Sequence, residues 1–402
     1  MNVLFLTLAD YKSIYVHGIY SDLLRQFIEH GDTVYMVSSY EKVNQQEEII
    51  EEAHSMIVKV PIMKMQKTNV IKKGLSMLTV DGQFKKGIRE HLRDVKFDLV
   101  IYPTPPITLL GSVKYIKKRD KATTYLLLKD IFPQNAVDIG MMRKTGIKGL
   151  IYQYFRNEEK KLYVISDYIG CMSQANVDYV IKHNPEVNPE KVEVCPNSIE
   201  VEDKSVDGNK KKKIREKYEI PLDKKVFIYG GNLGKPQGIP FLVECLKKCE
   251  DIEDAFFIIV GDGTEYAVLD NYVETEKPKN VKLMRSLPRD DYEMMVGACD
   301  VGLLFLDHRF TIPNFPSRLL SYMQAKLPVL ACTDPNTDVG KVITEGGFGW
   351  WCESNNSEKF ADLISTINVI ETHEKGEFAF SYLKENYSVE KAFSTIMRRI
   401  DE

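Results

Sequence analysis

The stretch KVFIYGGNLGKPQGI, residues 225–239, runs an apolar, β-branched and aromatic segment into four glycines set around a lysine. Its first half reads as a buried strand and its second as a tight turn into a helix. What surrounds it decides the fold. AFFIIVGDG, NVKLMRS, DVGLLFL, PVLACT and GGFGWWC follow as further short apolar runs, with helical patterns over 238–249, 290–298 and 317–326 between them. That alternation predicts a parallel sheet covered by helices on both faces. The first 130 residues alternate in the same way: NVLFLTL, a helix from about Gly18 to His30, TVYMVSS, FDLVIYP, a helix near 108–119, and TTYLLLKD. YIGCMS and VEVCPNS add two short strands. The expectation is an α/β chain of two doubly wound, Rossmann-like units. Residues 1–200 form the first and 214–385 the second, with the polar stretch 201–213 as a linker. In such sheets ligands bind beyond the carboxyl ends of the strands, so two facing units would place a site in the cleft between them. The closing residues 386–402 contain the amphipathic SVEKAFSTIMRRI, whose basic end suits a helix C-terminus.

Composition narrows the class. With 44% hydrophobic and 28% charged residues the 402-residue chain reads as a soluble globular protein. No apolar run approaches the ~20 residues that a membrane span needs. The N-terminal MNVLFLTLADY has no basic n-region and no small-residue cleavage site, so a cytoplasmic location is expected. Seven cysteines are scattered; Cys245 and Cys249, the one close pair, share a helix face and read as packing. None of the histidines is paired at ligand spacing, so no structural metal is expected. Residues 1–200 carry 27 Lys plus Arg against 24 Asp plus Glu, whereas the whole chain is net −4. Much of the basic excess lies in residues 59–93, where Lys and Arg interleave with Ile, Met, Leu and Phe. A solvated helix face and a patch docking on anionic lipid are both compatible with this. Nucleic acid fits poorly, because the chain as a whole is acidic.

Three places bear chemistry. Gly230, Gly231, Gly234 and Gly238 around Lys235 outline a phosphate cradle: backbone N–H groups that an anion can approach, a helix start, and a point charge. The spacing is neither that of a Walker loop nor a strict G-x-G-x-x-G, and a plain strand-to-helix turn competes with it. VGDG, 260–263, reads as a common turn. In NFPSRLL, Pro316 supports a helix start at Ser317, where free N–H groups and the Arg318 guanidinium could converge on one phosphate; an ordinary cap is the alternative. Two anion sites in one unit suggest a diphosphate. In LLLKDIFPQ, Lys129 and Asp130 sit at a strand's carboxyl end. There Asp130 is placed to bind a sugar hydroxyl, to stabilise positive charge at an anomeric carbon, or simply to cap a loop. His17 and Gly18, at the first strand-to-helix junction, are candidates to admit an acceptor or a phosphate.

The order GNLGKPQG, VGDG, PNFPSRLLSYMQAKLPVLA and GGFGWW, preceded by KDIFP and CPNS, resembles the retaining glycosyltransferases of family 4 with the GT-B fold. The bacterial capsule and O-antigen subgroup is the nearest. The resemblance covers nearly the whole chain, and the order of the motifs is its specific part. It implies that Gly231, Asn232, Gly234 and Lys235, together with Ser317 and Arg318, bind the donor diphosphate. The segment Ser286 to Pro288, with Leu287, would contact the base, Lys129 and Asp130 would face the donor sugar, and the C-terminal helix would return to the N-terminal domain. Two glutamates that the family places eight positions apart read Pro313 and Ser321 here, and Asp338 is a candidate replacement carboxylate. No D-x-D occurs, so no metal or other cofactor is expected. Lys235 and Arg318 would stabilise the leaving diphosphate, alongside Asp130, as the catalytic set. The implied activity is retaining transfer of a sugar from a nucleoside-diphosphate donor, UDP foremost, in surface polysaccharide biosynthesis. The acceptor is a hydroxyl of a glycan or a polyprenyl-diphosphate-linked saccharide at the inner face of the cell membrane. A sugar-nucleotide 2-epimerase of the same fold is one alternative. The missing glutamates encourage a second, a non-catalytic sugar-nucleotide-binding partner.

Overall fold

The structure is a computed structural model that describes residues 1–41, 47–62 and 70–401, the side chains of 70–78 and 401 excepted. Contacts divide the chain into two units, Met1–Glu200 with Val389–Glu402, and Val201–Ser388.

The first unit is built on β1 (Asn2–Thr7), β2 (Thr33–Glu41), β3 (Glu48–Glu52), β4 (Ser55–Ile62), β5 (Leu99–Thr104), β6 (Thr123–Leu128), β7 (Tyr168–Cys171) and β8 (Val192–Val194). They form one sheet in the order β3-β4-β2-β1-β5-β6-β7-β8. All pair in parallel except β3, which runs antiparallel to β4. Val3, Leu4, Phe5 and Leu6 are all buried, so β1 reads as a continuous apolar run and not as an alternation: helices cover both faces of the sheet. On one face Phe5, Leu24 and Phe27 pack with Ala392, Phe393 and Ile396 of the C-terminal helix Val389–Asp401. The rings of Phe27 and Phe393 meet edge-on at 4.9 Å.

The second unit is built on β9 (Lys225–Asn232), β10 (Ala255–Asp262), β11 (Val281–Met284), β12 (Val301–Phe305), β13 (Val329–Thr333) and β14 (Gly349–Glu353). Its order is β11-β10-β9-β12-β13-β14, with every pair parallel. Strand order reverses between β9 and β12, which opens a crevice at the carboxyl end of β9. The stretch KVFIYGGN is therefore the central strand at the switch point.

Three expectations change. Residues 201–213 are not wholly a linker, because 208–217 form a helix. Asp207 caps it, accepting the Lys210 N–H at 2.8 Å, and Arg215 on its buried side pairs with Asp300 at 2.7 Å. The final helix starts at Val389, later than residue 386: Asn386 ends the preceding helix of the second unit, and Tyr387 is buried near Phe315.

In the described part of 59–93 several apolar residues serve the core, while Lys86, Arg89 and Arg93 are exposed, as a solvated helix face requires. Lys59 lies in β4, 5% exposed, with Asp10 at 2.7 Å. Val80, Phe84, Ile88 and Leu92, each four residues from the last, turn inward from the helix Val70–His91 and the residue just after it. Amphipathic spacing is the cause: a helix that lies on a sheet needs the same pattern as one that lies on lipid. Residues 63–69 and the side chains of 70–78 from that segment fall outside the described residues. No helix among the described residues is long and apolar enough to cross a membrane.

Candidate functional site

At the end of β9 the backbone does what only glycine tolerates. Gly231 has φ +117°, and a Cβ built on it would stand 2.6 Å from Nη2 of Arg318. The guanidinium thus crosses directly above the Gly231 backbone. Beneath it, 4.2 Å from its Cζ, is the ring of Tyr229. The Tyr322 hydroxyl accepts the Gly230 N–H at 3.3 Å and lies 3.1 Å from the carbonyls of Ile228 and Leu303, tying β9 to β12 below the guanidinium. Among the described residues no carboxylate lies in salt-bridge reach of Arg318, which is half-buried. A guanidinium cannot lose its proton, so its charge is held there without an anion.

Lys235 follows in the single helical turn Lys235–Gln237, exposed, and it too has no ion-pair partner among the described residues. The Gly234 N–H and the Asn232 amide donate to Oε1 of Gln237 at 3.2 and 3.3 Å, which sets the curve of the loop. VGDG takes part in this loop: a Cβ on Gly261 would collide with the carbonyl of Gly231, and one on Gly263 with the backbone of Leu233. The two loops pack backbone on backbone.

The helix expected over 317–326 spans Arg318–Gln324. Ser317 does not cap it through its side chain, and the N–H groups of Leu319 and Leu320 already donate to the carbonyls of Pro316 and Ser317. What this segment offers an anion is therefore the Arg318 side chain, more than a fan of free helix N–H groups. Leu287 is half-buried just before the helix Arg289–Gly297; beside it the Ser286 N–H donates to Asp262 at 3.2 Å, and Arg285 lies 3.4 Å over the Tyr266 ring. Asp338 is half-buried at the start of the helix Val339–Glu345. Pro313 is buried and Ser321 half-buried.

A carboxylate the motifs did not single out stands nearby in the chain. Asp334, after β13, is fully buried and accepts the N–H groups of Asn336 and Thr337 through Oδ1; Oδ2 has no partner among the described residues. Burial raises its pKa to about 6. Asn336 and Thr337 bond to the carbonyls of Phe310 and Asn314, joining this turn to the loop that leads to Arg318. D-P-N at a strand end was the available signal.

In the first unit β6 delivers Lys129 and Asp130. The Lys129 Nζ donates to the Cys195 carbonyl at 3.0 Å, which brings KDIFP and CPNS together. Burial lowers the Lys129 pKa to about 8 and raises that of Asp130 to about 6; in the latter case the Asn135 amide, at 2.7 and 2.8 Å, opposes the rise. Asp130 is thus a carboxylate whose ionisation is costly, held in place by one amide.

Of the two ligands expected at His17 and Gly18, an acceptor or a phosphate, the surroundings disfavour the phosphate. The Gly18 N–H donates to Asp22 at 2.8 Å, and Nδ1 of His17 lies 3.2 Å from Glu200 and 3.5 Å from Asp22, with Arg25 bonded to both carboxylates. Two carboxylates repel a phosphate, so this junction is not an anion site. Its arginine also occupies the place a cation would take.

Comparisons with known proteins agree with this architecture. Residues 210–374 match the family described as Glycosyl transferases group 1. Over 337 residues the chain is 23% identical to the probable glycosyltransferase WbjE of Pseudomonas aeruginosa, covering 81% of this chain and 79% of that one. It is 25% identical over 253 residues to the putative colanic acid biosynthesis glycosyl transferase WcaI of Escherichia coli, covering 61% and 60%. In three dimensions it superposes on Anabaena HepE in complex with UDP, with a TM-score of 0.71 at 15% identity over the whole of both chains. The fold is GT-B.

Proposed function

We propose that this chain, a group 1 glycosyltransferase of the GT-B fold, takes a sugar from a nucleoside-diphosphate donor and places it on a hydroxyl of a glycan or lipid-linked acceptor during surface polysaccharide assembly. One observation carries the reading: Arg318 is held over Tyr229 and Gly231 at the switch point of the sheet with no anionic partner among the described residues. A diphosphate supplies the missing charge and accepts the fork of N–H groups, and Lys235 adds a second cation on the adjoining loop. UDP is the donor nucleotide we favour, since HepE is described in complex with UDP. The similarity to WcaI, described as a putative colanic acid biosynthesis glycosyl transferase, supports a polysaccharide product.

The chemistry assigned to this chain's residues is electrostatic. As the bond from the anomeric carbon to the diphosphate oxygen lengthens, negative charge grows on the leaving group, where Arg318 and Lys235 are fixed beforehand. Asp130 is assigned to the positive charge growing on the sugar, and transfer proceeds with retention and without a bound metal.

Incubation with UDP-, GDP- and ADP-sugars and an oligosaccharide acceptor tests the reading. New glycoside from one donor supports it. A free epimeric sugar nucleotide, or donor binding without turnover, replaces it with a 2-epimerase or a non-catalytic binding partner.

A pH dependence follows from Asp130. Its pKa is raised to about 6, so the carboxylate is mostly protonated at pH 5 and mostly ionised at pH 7. Turnover at saturating donor is expected to rise through a single ionisation near pH 6, with little change in donor affinity over that range. A profile flat from pH 5 to 7 removes Asp130 from the transfer step.

A further inference from the structure

The helix Gly146–Ile165 has an inner face, where Phe155, Leu162 and Tyr163 are buried and the Phe155 ring meets Phe132 at 5.2 Å. A second stripe faces solvent. Ile147, Leu150, Ile151 and Tyr154, at i, i+3, i+4 and i+7, are 83, 73, 44 and 42% exposed, and Met141 in the turn before them is 58% exposed. Among the described residues no other segment exposes so many large apolar side chains. Isolated exposed apolar residues are ordinary, but a stripe of four with a fifth beside it marks an interaction surface.

The charges around the stripe say what kind. From residue 139 to 157 there is no acidic residue, while Arg143, Lys144 and Lys148 are exposed and have no ion-pair partner among the described residues. Gly149 sets the basic turn against the helix, since a Cβ there would lie 2.5 Å from the carbonyl of Lys144. Acidic groups, Asp81 and Glu158, come near only Tyr154 at the far end of the stripe; at the near end, outward-projecting Ile147 and Leu150 beside three cations without ion-pair partners among the described residues match a layer of phosphates above hydrocarbon. A second copy of the chain matches less well, because self-packing of this patch brings two uncompensated basic rims together.

We propose that the start of helix Gly146–Ile165 and the turn before it form a docking surface for an anionic lipid bilayer, with Ile147 and Leu150 entering the interface and Arg143, Lys144 and Lys148 over the phosphates. Neither the donor site nor the transferase reading is needed for this, and activity on a soluble acceptor is scored separately. Membrane contact is thereby assigned to residues 141–154 instead of 59–93, although Tyr154 lies close to Asp81 of the helix Val70–His91.

Co-sedimentation of the full chain with phosphatidylglycerol-containing and with pure phosphatidylcholine vesicles tests it. Binding to the anionic vesicles is expected, weakening as salt rises. Arg143→Ser/Lys144→Ser/Lys148→Ser should lower it by ~10²-fold, and Ile147→Ser/Leu150→Ser by roughly 10- to 100-fold. In Ile147→Trp the emission should shift to the blue when anionic vesicles are added, beyond any change that Trp350 and Trp351 give in the wild type. All these side chains are exposed, so the melting temperatures should stay level. Equal sedimentation with both vesicle types overturns the proposal, as does full binding by both multiple variants. So does a concentration-dependent dimer that Ile147→Ser/Leu150→Ser abolishes, which would make the stripe a contact between copies.

Discussion

Asp130→Asn is expected to lower turnover by at least ~10²-fold while UDP affinity stays within about twofold. The carboxylate is assigned to charge that exists on the sugar only in the transition state, so ground-state binding has little to lose. Stability should move the other way. With its pKa raised from the ordinary carboxylate value of 3.8 to about 6, folded Asp130 holds its proton where the unfolded chain releases it. The stabilisation linked to that proton is full at low pH and is lost as pH rises through about 6. At pH 8 the ionised, half-buried carboxylate therefore weakens the fold, and a neutral amide removes that burden. The variant should be more stable than the wild type at pH 8, by up to about 3 kcal/mol, and no more stable at pH 4. Glu159, which is buried, has its pKa pushed up to about 7 and shapes the same pH range, so denaturant melts of both proteins at both pH values are compared. A variant of near-normal turnover would return Asp130 to capping its loop.

Arg318→Ala is expected to weaken UDP binding roughly 10- to 100-fold, the loss of one charge-assisted hydrogen-bond set at about 1.5–3 kcal/mol. Uridine, which has no phosphate, should bind both proteins alike. Arg318→Lys should recover only part of the loss, because an ammonium presents a point charge where the guanidinium presents a fork over an aromatic ring. Among the described residues no carboxylate within reach loses a partner in these variants, so the melting temperature should hold. Calorimetric titration of UDP and uridine decides the matter. If uridine loses as much as UDP, or if neither loses anything, the guanidinium serves only to pack on Tyr229.

The two largely parallel sheets, the pairing of β3 with β4 excepted, and the place of the glycine loop at the end of the central strand were legible in the chain itself. Strand and helix periodicities are local, and KVFIYGG carries the mark of a strand covered on both faces followed by a turn that needs positive φ. Arg318 was legible as well, since proline stops the preceding loop one residue before Ser317. The partners of those residues were not. That Lys129 reaches Cys195, 66 positions on, and that Asp130 pays for its burial were decided by which strands pair. The oxygen of Asp334 left without a partner among the described residues, the carboxylates around His17, and the helix Gly208–Lys217 arise in the same way. The direction in which an amphipathic stretch turns is also a tertiary matter. Val80, Phe84 and Ile88 face a sheet, whereas Ile147, Leu150 and Ile151 face solvent, although both sets repeat at helical spacing beside lysines. Periodicity states that a helix has an apolar side; only the packed chain, by covering one such side and leaving the other bare, determines what that side is for.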